Sequence, residues 1–467
     1  MDHSLSMSGL HFEALRAHLL PPDGKEAAAV ALCGRRAGAD RHRLIVQRLH
    51  MIPHDLCTRS ANGVEWETDL IIELLDEADR KGLSVVKFHS HPGGLNQFSD
   101  TDDEGDRLLF PRIEGWVQAD VLHASVVMLP EGRMFGRVYS HGGFEPLERI
   151  AVAGDDIHIW FYEEPSRDQA TPEFLRRQAQ AFGDKTTALL RRLRIAVVGC
   201  SGTGSIEIEQ LKRLGVGTLV PVDPDVVEEL NLNRIMNATT EDVAQKRNKA
   251  ELAAASVEQS GLGTTVIPIP ANLCNRRAVE AVAECDVLMG CVDSHEGRYL
   301  LNRLAAFYCI PYIDVGVAID ASDQGDIRQV CGYVHYFQPG RSSVLSRGIV
   351  DMKQVEAESL KRRNPEAYAQ ERKQGYIANV DEPRPAVISV NTVLSGLAVN
   401  ELLARLHQYR HEPNSDYAVV GVSLSQMAIY EESETSQPTC KVFAKCVGRG
   451  DITPLLDHPE LSEETAG

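Results

Sequence analysis

The sequence predicts an α/β protein: an N-terminal α+β domain followed by an open, doubly wound parallel sheet. Three observations carry this. The chain has 467 residues, enough for two or three domains with ordinary cores. Its first third holds several strand-like apolar runs but few helical ones. From Leu193 onward, strand and helix patterns alternate, starting with a glycine-rich turn, "VVGCSGTGS". The boundaries expected are 9–160 for the first domain, 161–190 for a linker and lead-in helix, and 191–455 for the second domain.

The elements follow in order. A helix near Phe12–Leu20 precedes the strands "EAAAVALCG" and "HRLIVQRLHMI". "TDLIIELLDEADRKG" has helical periodicity, with Gly82 just past its end. "LSVVKFHSH", "HASVVMLP" and "GRMFGRVYS" are strand-like. Between Tyr162 and Leu190 the composition turns polar and helical. "LRIAVVGCSGTGS" then reads as strand, turn and helix start, "IEIEQLKRLGVG" as the helix and "TLVPVD" as the next strand. "TTVIPIPANL" and "CDVLMGCVD" add further strands. The charged stretch 340–384 reads as a long crossover loop, partly mobile.

Composition narrows the function classes. A formal net charge of −19 without a long basic run argues against nucleic acid or an anionic membrane as partner. No apolar run is long enough to span a bilayer, and "MDHSLSMSGLHFEALRAHLL" lacks the pattern of a signal peptide. The ten cysteines sit mostly in apolar segments, as small core residues do in a reducing compartment. A cytoplasmic location is expected. Cys440 and Cys446 form a local pair, but not a CxxC.

The first constellation lies in "KFHSHPGGLNQFSDTDDEGD". At a strand end, His89 and His91 share a face because side chains alternate. Pro92-Gly93-Gly94 turns the chain, and Asp102, eleven residues after His91, can return an oxygen ligand. Two histidines and a carboxylate leave a fourth position open, as in a catalytic zinc site, where a bound water has a pKa of roughly 7. The string H-x-H-P-x6-S-x2-D resembles the JAB/JAMM (MPN) family of zinc metallopeptidases. The resemblance implies that His89, His91 and Asp102 bind zinc and that Ser99 supports the tetrahedral intermediate. It also implies a general acid/base glutamate, best matched by Glu26; Glu65 and Glu67 fit less well, falling before the second helix. The acids beyond Asp102 are expected to be a solvated helix face.

The second constellation begins at Gly199, Gly202 and Gly204, between a strand and a helix, where backbone and helix terminus favour phosphate. The spacing G-x-x-G-x-G is not the dinucleotide fingerprint G-x-G-x-x-G. Downstream, Asp223 ends the next strand, Asn231, Arg234 and Lys249 follow, and Asp293 ends a further strand. Cations for phosphates and carboxylates for ribose and metal suit a nucleoside triphosphate with Mg²⁺. These segments, with "NKAELAA", "GCVDSHEGRYLLN", "PYIDVGV" and "PAVISVNTVLSGLAVNELLARL", resemble the ThiF/MoeB/E1 family of Rossmann-like adenylating enzymes. That resemblance puts Gly202, Asn231, Arg234 and Lys249 around the ATP phosphates, Asp223 on the ribose and Asp293 on Mg²⁺ and catalysis. It also sends Arg177 into a neighbouring protomer's site, implying a homodimer.

Three departures stand out. Ser201 replaces a glycine usual in the family. The place of a zinc-binding CxxC reads "PGRSSVLSRG", with Ser343 and Ser346, so no structural zinc is expected. Finally, 340–384 holds no cysteine for a thioester; Cys331, the nearest, lies in the strand-like "RQVCGYVHYF". Together the two resemblances imply a bifunctional enzyme. It adenylates the C-terminal glycine of a ubiquitin-like protein and trims or deconjugates that protein by zinc (iso)peptidase chemistry, with an E2-like protein as a further partner. The alternative is activation and trimming of a ThiS/MoaD-type sulfur carrier in a biosynthetic pathway. A third reading makes either domain a non-catalytic scaffold.

Overall fold

The computed structural model describes residues 2–163, 171–322, 326–374 and 385–462. They divide into two compact units. The first is residues 2–163 with Ala306–Cys309 and Cys446–Asp457; the second is the remaining described chain. Residues 164–170 of the expected linker and 375–384 of the expected mobile crossover lie outside the described residues.

The first unit contains β1 (Asp2–Ser8), α1 (Gly9–Leu19), β2 (Ala28–Ala37), β3 (Arg41–Met51), β4 (Cys57–Ser60), β5 (Gly63–Trp66), α2 (Ile72–Lys81), β6 (Ser84–Ser90) and α3 (Asp100–Trp116). β7 (His123–Met128), β8 (Met134–Ser140), β9 (Gly143–Pro146), β10 (Arg149–Ala153) and β11 (Ile157–Phe161) complete it. Nine strands form one mixed sheet in the order β11-β10-β1-β3-β2-β6-β7-β8-β9, and β4 and β5 form a separate hairpin. "AAAVALC" is apolar at every position because both its faces are covered. Ala29, Ala31 and Cys33 pack with Phe12, Leu15 and Leu19 of α1. Ala28, Val30 and Leu32 pack with Leu74 and Leu75 of α2 and Phe110 of α3.

β1 is an addition to the sequence reading. "DHSLSMS" looks polar, yet His3 to Ser8 are buried between parallel partners β3 and β10. Small serines fit a strand covered on both faces, and Ser8 goes on to cap α1 by accepting from the His11 N–H at 3.2 Å. Cys446–Asp457 also belongs to this unit. Gly450 bridges Arg35, and the Asp451 carboxylate accepts from the Ala37 N–H (3.0 Å) and the Tyr308 hydroxyl (2.8 Å). Gly34 has no room for a side chain there, since a Cβ would come within 2.3 Å of the Gly448 carbonyl.

The second unit runs α4 (Arg176–Leu190), β12 (Arg194–Val198), α5 (Gly204–Arg213), β13 (Thr218–Val222), α6 (Thr240–Ala244), α7 (Lys249–Ser260), β14 (Thr265–Val266), α8 (Arg276–Ala283), β15 (Val287–Gly290), α9 (His295–Tyr308), β16 (Tyr312–Ala321) and β17 (Ile327–Phe337). It ends with α10 (Met352–Arg363), α11 (Pro365–Lys373), α12 (Ile388–Leu406), β18 (Val419–Ser423) and β19 (Ala428–Glu432). The sheet order is β14-β13-β12-β15-β16-β17-β18-β19. β14 through β16 are parallel, as expected. β17, β18 and β19 add an antiparallel extension that the alternating pattern does not announce. The crossover is not a plain loop. Asp351 caps α10 and Asn364 caps α11, so a polar, charged sequence still forms two helices.

Candidate functional site

In the first unit, sheet register builds the site. Ala28 of β2 pairs with His89 of antiparallel β6, and the Ser90 N–H donates to the Ala27 carbonyl at 3.2 Å. Glu26, just ahead of β2, is thereby carried beside His91. The hairpin holds its backbone: the Glu26 N–H donates to Ser60 O (2.8 Å), and Arg59 Nε donates to Glu26 O (2.7 Å). Ser99 is the N-cap of α3 and forms a capping box with Asp102. The S-x2-D spacing is therefore helix-start geometry, and it fixes the carboxylate. Ser99 donates to Asp102 Oδ2 from both its N–H and its hydroxyl, each at 2.7 Å.

His89 Nε2 lies 2.9 Å from Asp102 Oδ1, His91 Nε2 lies 3.1 Å from Oδ2, and the two nitrogens are 3.2 Å apart. Ligand atoms around a tetrahedral ion with bonds of 2.0–2.1 Å sit roughly 3.3 Å apart, so these three groups fit zinc. They are also the one cluster of metal-type ligands among the described residues. His91 Nδ1 is 2.7 Å from the Leu95 carbonyl, a bond that leaves Nε2 as the metal-facing nitrogen.

The surroundings set the charges. Burial lowers His89 to about 4. Burial also opposes charge on His91, but Asp102 and the Leu95 carbonyl outweigh it and raise the imidazole. Asp102 is held far below the carboxylate range by both histidines and Ser99, against the effect of its own burial. Glu26, 5 % exposed, is raised to about 7, first by burial and then by Asp102, with His91 and Lys87 pulling the other way. Glu65 and Glu67 are exposed in and beyond the hairpin.

The acids beyond Asp102 require a correction. Asp106 is fully buried, not solvated, and accepts from Lys87 Nζ (2.6 Å) and Arg137 Nη2 (2.7 Å). Arg137 also bonds Asp103 at 2.6 Å and lies over Phe98, 3.8 Å from its ring centre. This ionic knot ties α3, and hence Asp102, to β6 and β8. Nothing in the spacing shows it, because Arg137 comes from a strand 31 residues downstream of Asp106.

In the second unit the glycine loop, Asp223 and Asp293 meet at the carboxyl ends of β12, β13 and β15, where an open α/β sheet binds ligands. Gly199 has φ +91°, and a Cβ there would come within 2.5 Å of the Cys291 carbonyl. α5 starts at Gly204 with no side-chain cap; the loop itself closes its first turn, with the Ser205 N–H donating to Ser201 O (3.0 Å) and the Glu207 N–H to Thr203 O (3.0 Å). Asp223 is buried and accepts from the Cys200 N–H (2.7 Å) and the Asp225 N–H (2.9 Å). Burial raises its carboxyl, and Lys249 partly offsets that.

The predicted cations are already engaged. Lys249 Nζ pairs with Asp225 at 2.9 Å, and Arg234 Nη1 donates to Leu230 O and to Asn233 Oδ1. Asn231 turns its Oδ1 to the Glu228 N–H at 3.0 Å, a local cap. A recess lined by Cys200, Ser205, Asn237 and Lys249 lies beside the loop. Asp293 is exposed just before α9, whose His295 and Glu296 N–H groups donate to Glu358 of α10 at 3.2 and 2.7 Å. Arg177 is exposed in the first turn of α4. All ten cysteines are free thiols; Cys331 is buried, as are Cys440 and Cys446.

Sequence reasoning missed Asn391. It is 3 % exposed, and a Cβ at Gly202 would come within 2.3 Å of its Nδ2. One turn on, Ser395 Oγ donates to the loop carbonyl of Thr203 at 3.0 Å. The signal was two polar residues, four apart, interrupting the apolar stripe Val390, Leu394 and Ala398 of α12.

These features define a two-part protein: an α/β unit with a phosphate-type glycine loop, and an α+β unit with a zinc-type ligand cluster. The model of the ThiF family matches residues 175–442, more than half of the chain, and that of the prokaryotic homologs of the JAB domain matches residues 10–137. The chain belongs to the ThiF family and carries a JAB-like domain at its N-terminus.

It is 35% identical over 133 residues to the "Adenylyltransferase and sulfurtransferase UBA4" of Meyerozyma guilliermondii, covering 28% of this chain and 31% of that one. It is 40% identical over 120 residues to the "SAMP-activating enzyme E1" of Haloferax volcanii, covering 26% and 44%. A third relative is the "Ubiquitin-like modifier-activating enzyme 5" of Culex quinquefasciatus, 25% identical over 241 residues, covering 48% and 58%. The chain thus spans less than two thirds of the length of these curated relatives. Among solved structures, E. coli MccB with ATP aligns at a TM-score of 0.43 and 18% identity, covering 58% of this chain and 74% of that one. Among the described residues, no helix is long and apolar enough to cross a membrane.

Proposed function

We propose that the chain uses ATP and Mg²⁺ to adenylate the C-terminal glycine of a ubiquitin-like protein, and that its JAB-like domain is a zinc (iso)peptidase acting on the same protein. One observation carries the first half: loop, Asp223 and Asp293 converge at the carboxyl ends of three adjacent parallel strands, with Arg234 beside the loop. Incoming phosphates would take Arg234 and Lys249 from their present oxygen partners. Asp223 would hold the ribose, and Asp293 the metal. The carboxylate of the substrate glycine attacks the α-phosphorus of ATP, and pyrophosphate leaves. Arg177 would complete the site of a second copy in a homodimer.

In the JAB-like domain His89, His91 and Asp102 would hold zinc. When bound, the ion supplies a Lewis acid for the scissile carbonyl and lowers the pKa of a water. Glu26, with a pKa of about 7, suits taking a proton from water and returning it to the leaving amine. Ser99 keeps Asp102 oriented through its N–H, and its hydroxyl would turn from Asp102 to donate to the reacting carbonyl oxygen. The purified chain is expected to hold about one zinc, by atomic emission, and Asp102→Ala to lose it while ATP binding persists. A metal-free wild type that takes up no added zinc would defeat the peptidase half.

One observation favours the sulfur-carrier alternative. With no cysteine in 340–384, and Cys331 buried in β17, the adenylate has no thiol in that segment to accept it. It would pass to an external acceptor: a persulfide in that pathway, an E2-like thiol in the other.

A further inference from the structure

We propose that Asn391, on the first turn of α12, is a nucleotide-binding residue that donates its side-chain amide to the polyphosphate of ATP over the glycine loop. The proposal rests on the reading of that crevice as an ATP site. Its grounds are geometric. Asn391 is 97 % shielded, judged from its 3 % exposure. Among the described residues its amide makes no hydrogen bond, which leaves its donors open to a ligand. The amide lies where a side chain at 202 would go, 2.3 Å from the position of that Cβ, and Arg234 Cδ lies 3.3 Å from the same point.

Asn391 therefore sits beside the loop and the arginine assigned to phosphate. The surroundings favour an anion over a cation or an apolar group. Arg234 supplies a positive charge beside the amide, and Val387 puts no side-chain cap on α12, on whose first turn the amide sits. Ser395 ties α12 to the loop at Thr203, so the amide is held in place before any ligand arrives. Two rigid elements nearly two hundred residues apart thus supply donors to one phosphate cradle. The same contact explains Gly202: any side chain there would displace the amide.

The test is isothermal titration of the full-length chain with ATP and Mg²⁺, alongside melting without ligand. Asn391→Ala is expected to weaken ATP binding roughly tenfold or more, the worth of a hydrogen bond to a charged group. Asn391→Asp keeps the shape but sets a carboxylate against phosphate, and is expected to weaken it further. Thr392→Ala, whose hydroxyl donates to Ile388 O on its own helix, should leave affinity unchanged. Equal ATP affinity in wild type and both Asn391 variants would overturn the proposal and spare the site. Equal losses in the two variants, with lowered melting, would assign Asn391 to packing and also overturn it. A wild type that binds no ATP would overturn the site itself.

Discussion

Arg347→Ala is expected to lower the stability of the second unit by about 3–5 kcal/mol, the cost of breaking a buried ion pair from one side. The Arg347 side chain is 2 % exposed and pairs with Glu434 at 2.8 Å. It also donates to Ser342 Oγ, Ala418 O and Tyr336 O, each at 2.9 Å, and stacks on Phe337 at 4.3 Å. Glu434 in turn accepts from the Ser342 N–H (2.8 Å) and hydroxyl (2.9 Å). Alanine would leave the buried Glu434 carboxylate without its counter-charge, with only the Ser342 donors, and would remove the arginine's bonds to the Ala418 and Tyr336 carbonyls. In the same turn, the Ser343 N–H donates to Ser346 Oγ at 2.9 Å. Ser343 and Ser346 thus close a hydrogen-bonded turn. Denaturant unfolding measures the loss; an unchanged midpoint would refute it. The double variant Arg347→Met, Glu434→Leu is expected to recover most of the stability, because it leaves no charge stranded.

Glu207→Gln is expected to stabilise the protein above pH 8 and to flatten its stability against pH. Glu207 is fully buried on α5; it accepts from the Cys291 thiol at 3.1 Å, and its Oε1 has no partner among the described residues. Burial raises its carboxyl from 4.5 to about 8, with a smaller push from Asp314. The fold therefore favours the neutral acid. Its stabilising contribution is complete below the unfolded pKa and is lost as pH rises through the folded one. At about 1.4 kcal/mol per pKa unit, the loss between pH 4.5 and 8 has a ceiling of about 5 kcal/mol. Melting midpoints from pH 5 to 9 should fall for wild type and stay level for the glutamine variant in this respect. Parallel curves for the two proteins would contradict the assignment.

How much was legible depended on the range of the interaction. His89, His91, Ser99 and Asp102 lie within fourteen residues, and strand alternation and a capping box are local rules, so their grouping follows from spacing. Glu26 joins them through antiparallel register, and in the sequence only the family resemblance points to it. β1 escaped because burial on both faces reverses the meaning of its serines. Asp106 escaped because its partners, Lys87 and Arg137, arrive on two different strands. The glycine loop and Asp223 followed from the βαβ pattern, whereas Asn391 did not. Its place over Gly202 depends on how α12 packs after a long excursion through α10 and α11. Asn231 shows the reverse limit: a motif fixes a residue's position, but its oxygen is turned to the local backbone.

In the proposed function, one chain holds two sites that act on one C-terminal glycine. Mass spectrometry tests it most directly, on a ubiquitin-like protein extended past its diglycine end and incubated with the zinc-loaded chain, ATP and Mg²⁺. The expected product is trimmed to the glycine and carries AMP; Asp293→Ala should yield trimming alone, and His89→Ala neither trimming nor AMP on the extended form. An extended protein recovered intact, together with a mature form that never gains AMP, would refute both activities.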